Sequence, residues 1–449
     1  MVMSAAETVD RARYLLELRD QERPRLARIR CYLRDEPDQI LSGLPADTPL
    51  ELHRLARLGR VNMLRFVVGS RVQSMYVDGL RLPRQADNVE AWRVWQANRM
   101  DARQIGVHRA AIAYGASYVT VLPGTRAGEP MPVLRGVSPR RLTAAYGADD
   151  EWPAYALEQR RSGWRLYDAE AVYDLTGADA DTLAFAGVPA EHGAGVCPVV
   201  RIRDSDDLDD EVCGAVEPLM FLQDQINITT FGLLVAQHYG AFRQRYVIGW
   251  LAESETQRLK ASASRLMTFD DPEVKVGEFG ETTLAGYLAS REATIRHLAT
   301  VSQTPAHELL GQLVNLSAEA LAAAEASHRR ALSETQTVAG EGWEQALQLG
   351  GSMIGVDVPD DAEVRWRDTE SRSLAQVADA LGKIAQMLGV PPAELWEMLP
   401  GVSQQQVERW RAAAAEGDAF AQMNRLLDEQ ASALTTPTPA PAVPADASL

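Results

Sequence analysis

Apolar residues recur at helical spacing from the start of the chain: Val9, Ala12, Leu15, Leu16 and Leu18, then Leu26, Ile29 and Leu33. Steps of three and four mark one buried helix face, and Pro24, which lacks a backbone donor, falls between the two groups. The pattern predicts two short helices over residues 7–34. Leu52, Leu55, Ala56, Leu58, Val61, Leu64 and Val68 keep the spacing until Gly79 and Pro83 break it, so a helix is expected to run into the strand-like RVQSMYV. Residues 91–124 predict a further helix ending near Tyr114, a left-handed stop at Gly115, and an alternating strand from Ser117 to Leu122.

Beyond this point the period changes from helical to alternating. RRLTAAYG, PAYALEQRR, WRLYDAEAVYDLT and CPVVRIR are short alternating runs punctuated by Gly, Pro and Asp, which suits an antiparallel meander. The expected class is therefore α+β, with no parallel nucleotide-binding sheet. The acidic run RDSDDLDDE, residues 203–211, lacks the turn glycine of a calcium loop. Its acids are expected to cap a helix from 209 to about 239, whose stripe is Val216, Leu219, Leu222, Ile226, Thr229, Leu233 and Ala236. Residues 242–279 have strand-like ends around a helical middle, and a helix at about 282–302 returns. Two long helices separated by a compact insert are expected to pair and carry the insert at their far end.

Pro305 stops helix continuation, so SQTPAHELLGQLVNL should be a loop held between helices. With Ser317 as N-cap, the chain then runs without proline to about Leu349, about 33 residues or roughly 50 Å of helix. The stripe of this helix, Leu321, Ala324, His328, Leu332, Thr335, Val338, Trp343 and Leu347, is thin at its start and bulky at its end. AEVRWRD, 362–368, alternates like a strand, and 373–389 is an amphipathic helix stopped by Gly389 and Pro391. A second helix is expected from Val402 to Leu427, and the proline-rich 435–449 should be disordered or extended.

Charge and chemistry narrow the function classes. Lys and Arg number 45 against 62 Asp and Glu, a net charge of -17, which opposes a broad basic face that grips nucleic acid. Cys31, Cys197 and Cys213 are too few and too scattered for a disulfide framework or a zinc site, which suggests a reducing, cytosolic setting. No leader pattern and no run of about 18 apolar residues is present, so neither secretion nor a membrane partner is expected. His307-Glu308 opens an HExxH pattern, but Gly311 replaces the second histidine. No phosphate-cradling loop, nucleophile elbow or carboxylate dyad is found, so no cofactor, metal or catalytic centre is expected. An uncharacterised hydrolase is kept only as an alternative.

A second alternative is a helix-turn-helix over 373–411, with Gln404 to Arg411 as the reading helix. A plain helical hairpin is preferred, because the chain is acidic and Trp396 and Trp410 look like packing anchors.

The order of features resembles the portal proteins of long-tailed double-stranded DNA phages, a siphophage group common among actinobacterial phages. The likeness is carried by NMLRFVVGSRVQSMYVDGLR (62–81), WQANRMDARQIGVHRAAIAYGASYVTV (95–121), INITTFGLL (226–234), AFRQRYVIG (241–249), NLSAEAL (315–321) and VRWRDTESRSLAQVADAL (364–381). Ala318 stands where the family often has glycine.

The resemblance implies a mixed α/β wing (1–208 and 317–370), stem helices (209–242 and 282–302), a small α/β clip (243–281), a tunnel loop (303–316) and a helical crown (371–434). It implies a ring of twelve copies at the capsid vertex of the virion, assembled in the host cytoplasm, through which double-stranded DNA passes without sequence specificity. Expected partners are the terminase large subunit, a head-completion or adaptor protein, and the major capsid and scaffolding proteins. Gln303, Thr304, His307, Gln312 and Asn315 would face the DNA, and Arg243, Arg245, Trp250, Glu253, Lys260 and Arg265 of the clip would meet terminase or adaptor. An acidic balance suits a conduit, since a basic lining would trap a sliding polyanion.

Overall fold

The computed structural model describes residues 2–34, 43–45, 47–82, 88–147, 151–209, 212–240, 245–248, 275–278, 283–311, 318–367, 374–399, 401–402 and 404–417. The chain divides into two compact units, one of Met1–Tyr76 and Leu80–Val364, the other of Val77–Gly79 and Arg365–Leu449.

The first unit opens with α1, Ala5–Arg34. Ser4 and Glu7 form a capping box: the Ser4 N–H donates to Glu7 Oε2 at 2.9 Å, and the Glu7 N–H donates to Ser4 Oγ at 3.3 Å. Pro24 lies inside this single helix, where two helices were expected. Leu15 and Leu16 are in phase with Leu26 and Ile29 across the proline, all four are buried, and their burial outweighs the one missing backbone bond.

Next come α2 (Leu50–Leu58) and α3 (Met63–Gln73), the latter capped by Asn62 accepting from the Arg65 N–H at 2.9 Å. Strand β1, Val77–Arg81, starts after RVQ has closed α3. The helix expected up to Tyr114 is two, α4 (Asn88–Ala97) and α5 (Met100–Tyr114). They break where Arg99 turns left-handed at φ 53°. Asn98 holds the break: its amide donates to Val94 O at 2.9 Å and Pro132 O at 2.8 Å, and its carbonyl accepts from the Leu134 N–H at 3.0 Å. Gly115 is left-handed, φ 91°, as its place before a strand required.

The strands are β2 (Ala116–Leu122), β3 (Thr125–Arg126), β4 (Glu129–Pro130), β5 (Val133–Val137), β6 (Leu142–Ala145), β7 (Tyr155–Arg160), β8 (Gly163–Tyr167), β9 (Ala171–Thr176), β10 (Ala184–Phe185), β11 (Ala190–Glu191) and β12 (Val199–Arg203). One sheet runs β10-β9-β8-β7-β6 with β11 also on β9, another runs β12-β2-β5, and their pairings are antiparallel, as the alternating runs predict. Ala12, Leu15 and Leu16 of α1 pack on Leu157, Trp164, Leu166 and Tyr173 of the larger sheet. Glu158 of β7 is fully buried, and it accepts from Arg135 Nη1 at 2.9 Å and from the Tyr167 hydroxyl at 2.8 Å. Burial pushes its carboxyl up, but those two bonds and the nearby guanidinium charges hold it below the usual range.

After β12 a short 3-10 turn, Glu217–Leu219, leads into α6, Met220–Gly240. The helix thus begins well after residue 209, and the acidic run does not cap it. Asp204 is buried instead, Asp206 pairs with Arg203, and Asp207 Oδ1 accepts from the Asp209 N–H at 3.0 Å. Helix α7, Ala285–Val301, returns along α6; Arg291 Nε donates to Thr230 Oγ1 at 3.2 Å. Of the insert between them, β13 (Arg245–Ile248) and β14 (Lys275–Glu278) are described and pair antiparallel.

A single-turn helix, α8 (Ala306–Leu310), precedes α9, Ala318–Ser352, 35 residues long. Its second half lies on β12, and Gly342 permits the approach: a Cβ there would fall 2.7 Å from Ile202 Cδ1 and 2.9 Å from Arg201 O. Strand β15, Glu363–Trp366, follows.

In the second unit Asp78 Oδ1 accepts from Arg365 Nε at 3.0 Å. It holds α10 (Leu374–Leu388), ended by Gly389 at φ 68°, the short α11 (Pro392–Leu395), and a helix over 404–417. Trp396 and Trp410 meet edge-on at 6.1 Å, the packing role their spacing suggested. The expected end of the last helix at Leu427 and the tail 435–449 lie outside the described residues.

Candidate functional site

The segment between α7 and α9 is built as a stapled turn. The Ser302 N–H donates to Leu298 O at 2.9 Å, the Thr304 N–H to Ala299 O at 3.0 Å, and the Ser302 hydroxyl bonds the Thr304 hydroxyl at 3.0 Å. Between them Gln303 is left-handed, φ 51°, and its side chain is exposed. A non-glycine residue in that conformation carries strain that its surroundings must hold. Pro305, with φ -57°, then starts α8, and Gly311, φ 63°, ends it. Over residues 302–311 the expected irregular loop is therefore a tight turn followed by one helical turn; the rest of it lies outside the described residues.

Two elements hold this turn from the side. Arg71 of α3 donates through Nη2 to Ser302 O at 3.0 Å, and its neighbour Ser70 donates to Glu308 Oε2 at 3.1 Å. From α9, His328 Nδ1–H donates to Gln303 O at 3.2 Å, which gives the strained residue its partner. Arg71 also lies 3.9 Å from Asp204 Oδ2, and Asp204 Oδ1 accepts from the Thr335 hydroxyl of α9 at 3.4 Å. A polar chain thus runs from α9 through the end of β12 and α3 to the turn. Burial pushes the Asp204 carboxyl up to about 6, against the pull of Arg71 and the Thr335 bond.

The far half of α9 is anchored differently. Trp343 is fully buried, donates through Nε1 to His108 Nε2 at 2.8 Å, and meets Trp95 edge-on at 4.9 Å. Because Nε2 accepts, the proton of neutral His108 sits on Nδ1, which donates to Met75 O at 3.2 Å. Burial, only partly opposed by that backbone bond, pulls His108 down to about 4.

Of the residues singled out from sequence, Gln303 is exposed, His307 half-buried, and Thr304 buried with its hydroxyl engaged by Ser302. Gln312 and Asn315 lie outside the described residues, as do Ser317, Arg243, Trp250, Glu253, Lys260 and Arg265. Arg245 opens β13. Sequence reasoning missed Ser70, Arg71, Asp204 and Glu308, because a residue's polarity does not reveal a partner more than a hundred positions away. Among the described residues no group of three or more His, Cys, Asp and Glu is placed to hold a metal ion. Two polar side chains of the helix suggested for base reading are engaged within the subunit. Gln404 is buried and donates to Glu408 Oε1 at 2.8 Å, and Arg411 pairs with Glu397 at 2.8 Å.

The family described as phage portal protein, SPP1 Gp6-like, matches residues 13–419, most of the chain. The chain belongs to this portal protein family. It is similar to the portal protein of Mycobacterium phage D29, 27% identical over 408 residues, covering 84% of this chain and 83% of the relative. Against the portal protein of Mycobacterium phage L5 it is 27% identical over 395 residues, covering 81% and 80%. Among solved structures, a chain of the virion of a native gene transfer agent particle aligns at 18% identity and TM-score 0.49, covering 78% of this chain and 96% of that one. A chain of the neck of an empty particle aligns at 15% identity and TM-score 0.46, covering 78% and 92%.

As a portal protein the chain is a structural subunit, not an enzyme. It forms an oligomeric ring at the portal vertex of the capsid in the virion, and that ring is the conduit for DNA packaging.

Proposed function

We propose that twelve copies close the ring and that the turn between α7 and α9 is its constriction. The observation that carries this is the chain order itself: α6, an insert with the antiparallel pair β13 and β14, α7, the stapled turn, then the 35-residue α9. In this reading 1–208 and 317–370 form the wing, 209–242 and 282–302 the stem, 243–281 the clip, 303–316 the tunnel loop and 371–434 the crown. Exposed Gln303 and half-buried His307 face the DNA with Gln312 and Asn315, and buried Thr304 staples the turn behind them. Uncharged polar groups let a polyanion slide, because they neither trap phosphates nor release counterions.

The stem reading is supported by the apolar surface of α6. Glu217–His238 is long and apolar enough by length and composition to cross a membrane, yet α7 runs beside it and Phe221 and Ile228 stay exposed. In a ring, neighbouring copies cover that surface. The clip, through Arg243, Arg245, Trp250, Glu253, Lys260 and Arg265, meets the terminase large subunit and later the head-completion protein. The wing meets the major capsid and scaffolding proteins.

Deleting 304–314 and packaging DNA into capsids carrying the variant ring tests the constriction. The expected result is intact rings whose capsids fail to retain full-length DNA. Normal filling and retention by such capsids would count against it. Native mass measurement of the ring gives the number of copies.

A further inference from the structure

α1 carries two cations, Arg19 and Arg23, that share a pocket with Arg140 and Arg141 from the turn before β6. The cavity is about 540 Å³, its apolar floor includes Leu26 and Pro139, and no carboxylate lines it. In a chain of net charge -17 this is a local reversal of sign. Arg141 is committed, bonding Gln159 O at 3.0 Å and reaching Glu158 at 3.5 Å. Arg19 stacks over the Trp164 ring at 4.9 Å and donates to Gln159 Oε1 at 2.8 Å, while its buried Nε has no hydrogen-bond partner. Arg140 bonds the Tyr114 side chain, and neither it nor Arg23 forms an ion pair among the described residues. Burial weakens the Arg19 cation, Asp20 supports it, and the charges of Arg23 and Arg140 weaken it again. Like charges gathered with an idle donor are costly unless an anion joins them.

The shape restricts that anion. A cavity of this size admits side chains rather than a duplex, and an apolar floor beneath a cationic rim suits an apolar residue flanked by acids. This chain presents such a segment. In the loop after β12, Leu208 is 103% exposed, the highest among the large exposed apolar side chains, and Asp206, Asp207 and Asp209 surround it. The chain a few residues beyond this loop meets α1 on a different flank from the pocket. Arg25, about 200° around the helix from Arg23, bonds Val212 O and Glu217 next to that loop. Complementary patches on opposite flanks are what a head-to-tail contact in a closed ring requires.

We propose that the arginine pocket is one half of the contact between neighbouring copies in the portal ring, and that the loop 206–209 of the adjacent copy is the other half. Leu208 of that copy seats on Leu26 and Pro139, and its flanking carboxylates meet Arg19, Arg23 and Arg140. The inference rests on the ring of the portal family, not on the constriction proposed above.

Two reversed variants of the full chain test it. One carries Arg23→Glu and Arg140→Glu, the other Asp207→Arg and Asp209→Arg, and assembly is followed by native mass and sedimentation. Each alone is expected to lose rings at least tenfold, and an equimolar mixture to regain them, because every pocket again meets a loop of opposite sign. Recovery in the mixture also demonstrates that both variants are folded. Leu208→Ser, at a side chain that packs on nothing within its own subunit, is expected to weaken assembly about tenfold or more. Rings of normal stability from any of the three variants, or a mixture of folded variants that stays unassembled, overturn the proposal and leave the conduit reading intact. Loss of duplex binding with normal rings in the pocket variant also overturns it, and assigns the pocket to nucleic acid.

Discussion

The middle of α9 and its C-terminal half are held by different kinds of contact. Its C-terminal half is sunk into the core, where Trp343 packs on Trp95 and bonds buried His108, and Gly342 lets the backbone rest against β12. Its approach to the turn after α7 relies on single polar contacts, the bond from His328 to Gln303 O and the chain from Thr335 through Asp204 and Arg71 to Ser302 O. Apolar burial sums over many atoms and resists displacement, whereas an individual hydrogen bond contributes about 0.5–1.5 kcal/mol net. One rod therefore carries a firm root and a light latch, and the latch lies where the DNA constriction is proposed.

The sharpest way to break this contrast is at the root. Trp343→Ala removes a fully buried indole and orphans His108 Nε2, and is expected to cost about 3–5 kcal/mol in denaturant unfolding. A loss no larger than that of a latch variant would end the comparison.

Proton linkage comes next in size and separates the two regions by sign. His108 has its folded pKa lowered from 6.5 to about 4, so its contribution is full above pH 6.5 and is lost as pH falls toward 4. Asp204 has its folded pKa raised from 3.8 to about 6, so the cost of burying its charge is absent below pH 3.8 and grows as pH rises to about 6. The two trends oppose each other across the same window and flatten the wild-type profile. Asp204→Asn removes one of them, and the unfolding free energy measured from pH 4 to 7 should then rise with pH by an amount on the order of 2–3 kcal/mol. A profile unchanged by the substitution would contradict the burial of Asp204 as a charged group.

The smallest effect belongs to the latch. His328→Ala should cost less than about 1 kcal/mol globally, yet release strained Gln303 and speed amide exchange from Ser302 to Leu310. Exchange that stays as slow as in the wild type would show that the turn does not depend on α9.

Much of the fold was legible in order and type. The left-handed stop at Gly115, the antiparallel strands between β6 and β12, the returning α7, the long α9 and the stop at Gly389 follow from periodicity and glycine placement, which are local properties. The site was legible only in its location between α7 and α9. That Thr304 turns inward, that Asp204 leaves an acidic run to be buried, and that Arg71 links it to Ser302 depend on segments far apart in the chain.

By itself the sequence determined which segments are helices and strands, the proline-marked interruption ahead of a long helix, the absence of a recognisable catalytic motif, and the likeness to portal proteins, since each is written in spacing and residue type. Only the tertiary structure decided that Pro24 is absorbed within one helix, that α4 and α5 part at Asn98, that α6 starts at Met220, and that arginines from α1 and from the turn before β6 share one cavity. Those outcomes turn on how much apolar area is buried and which distant polar atom becomes a partner, and neither quantity exists until the chain has folded.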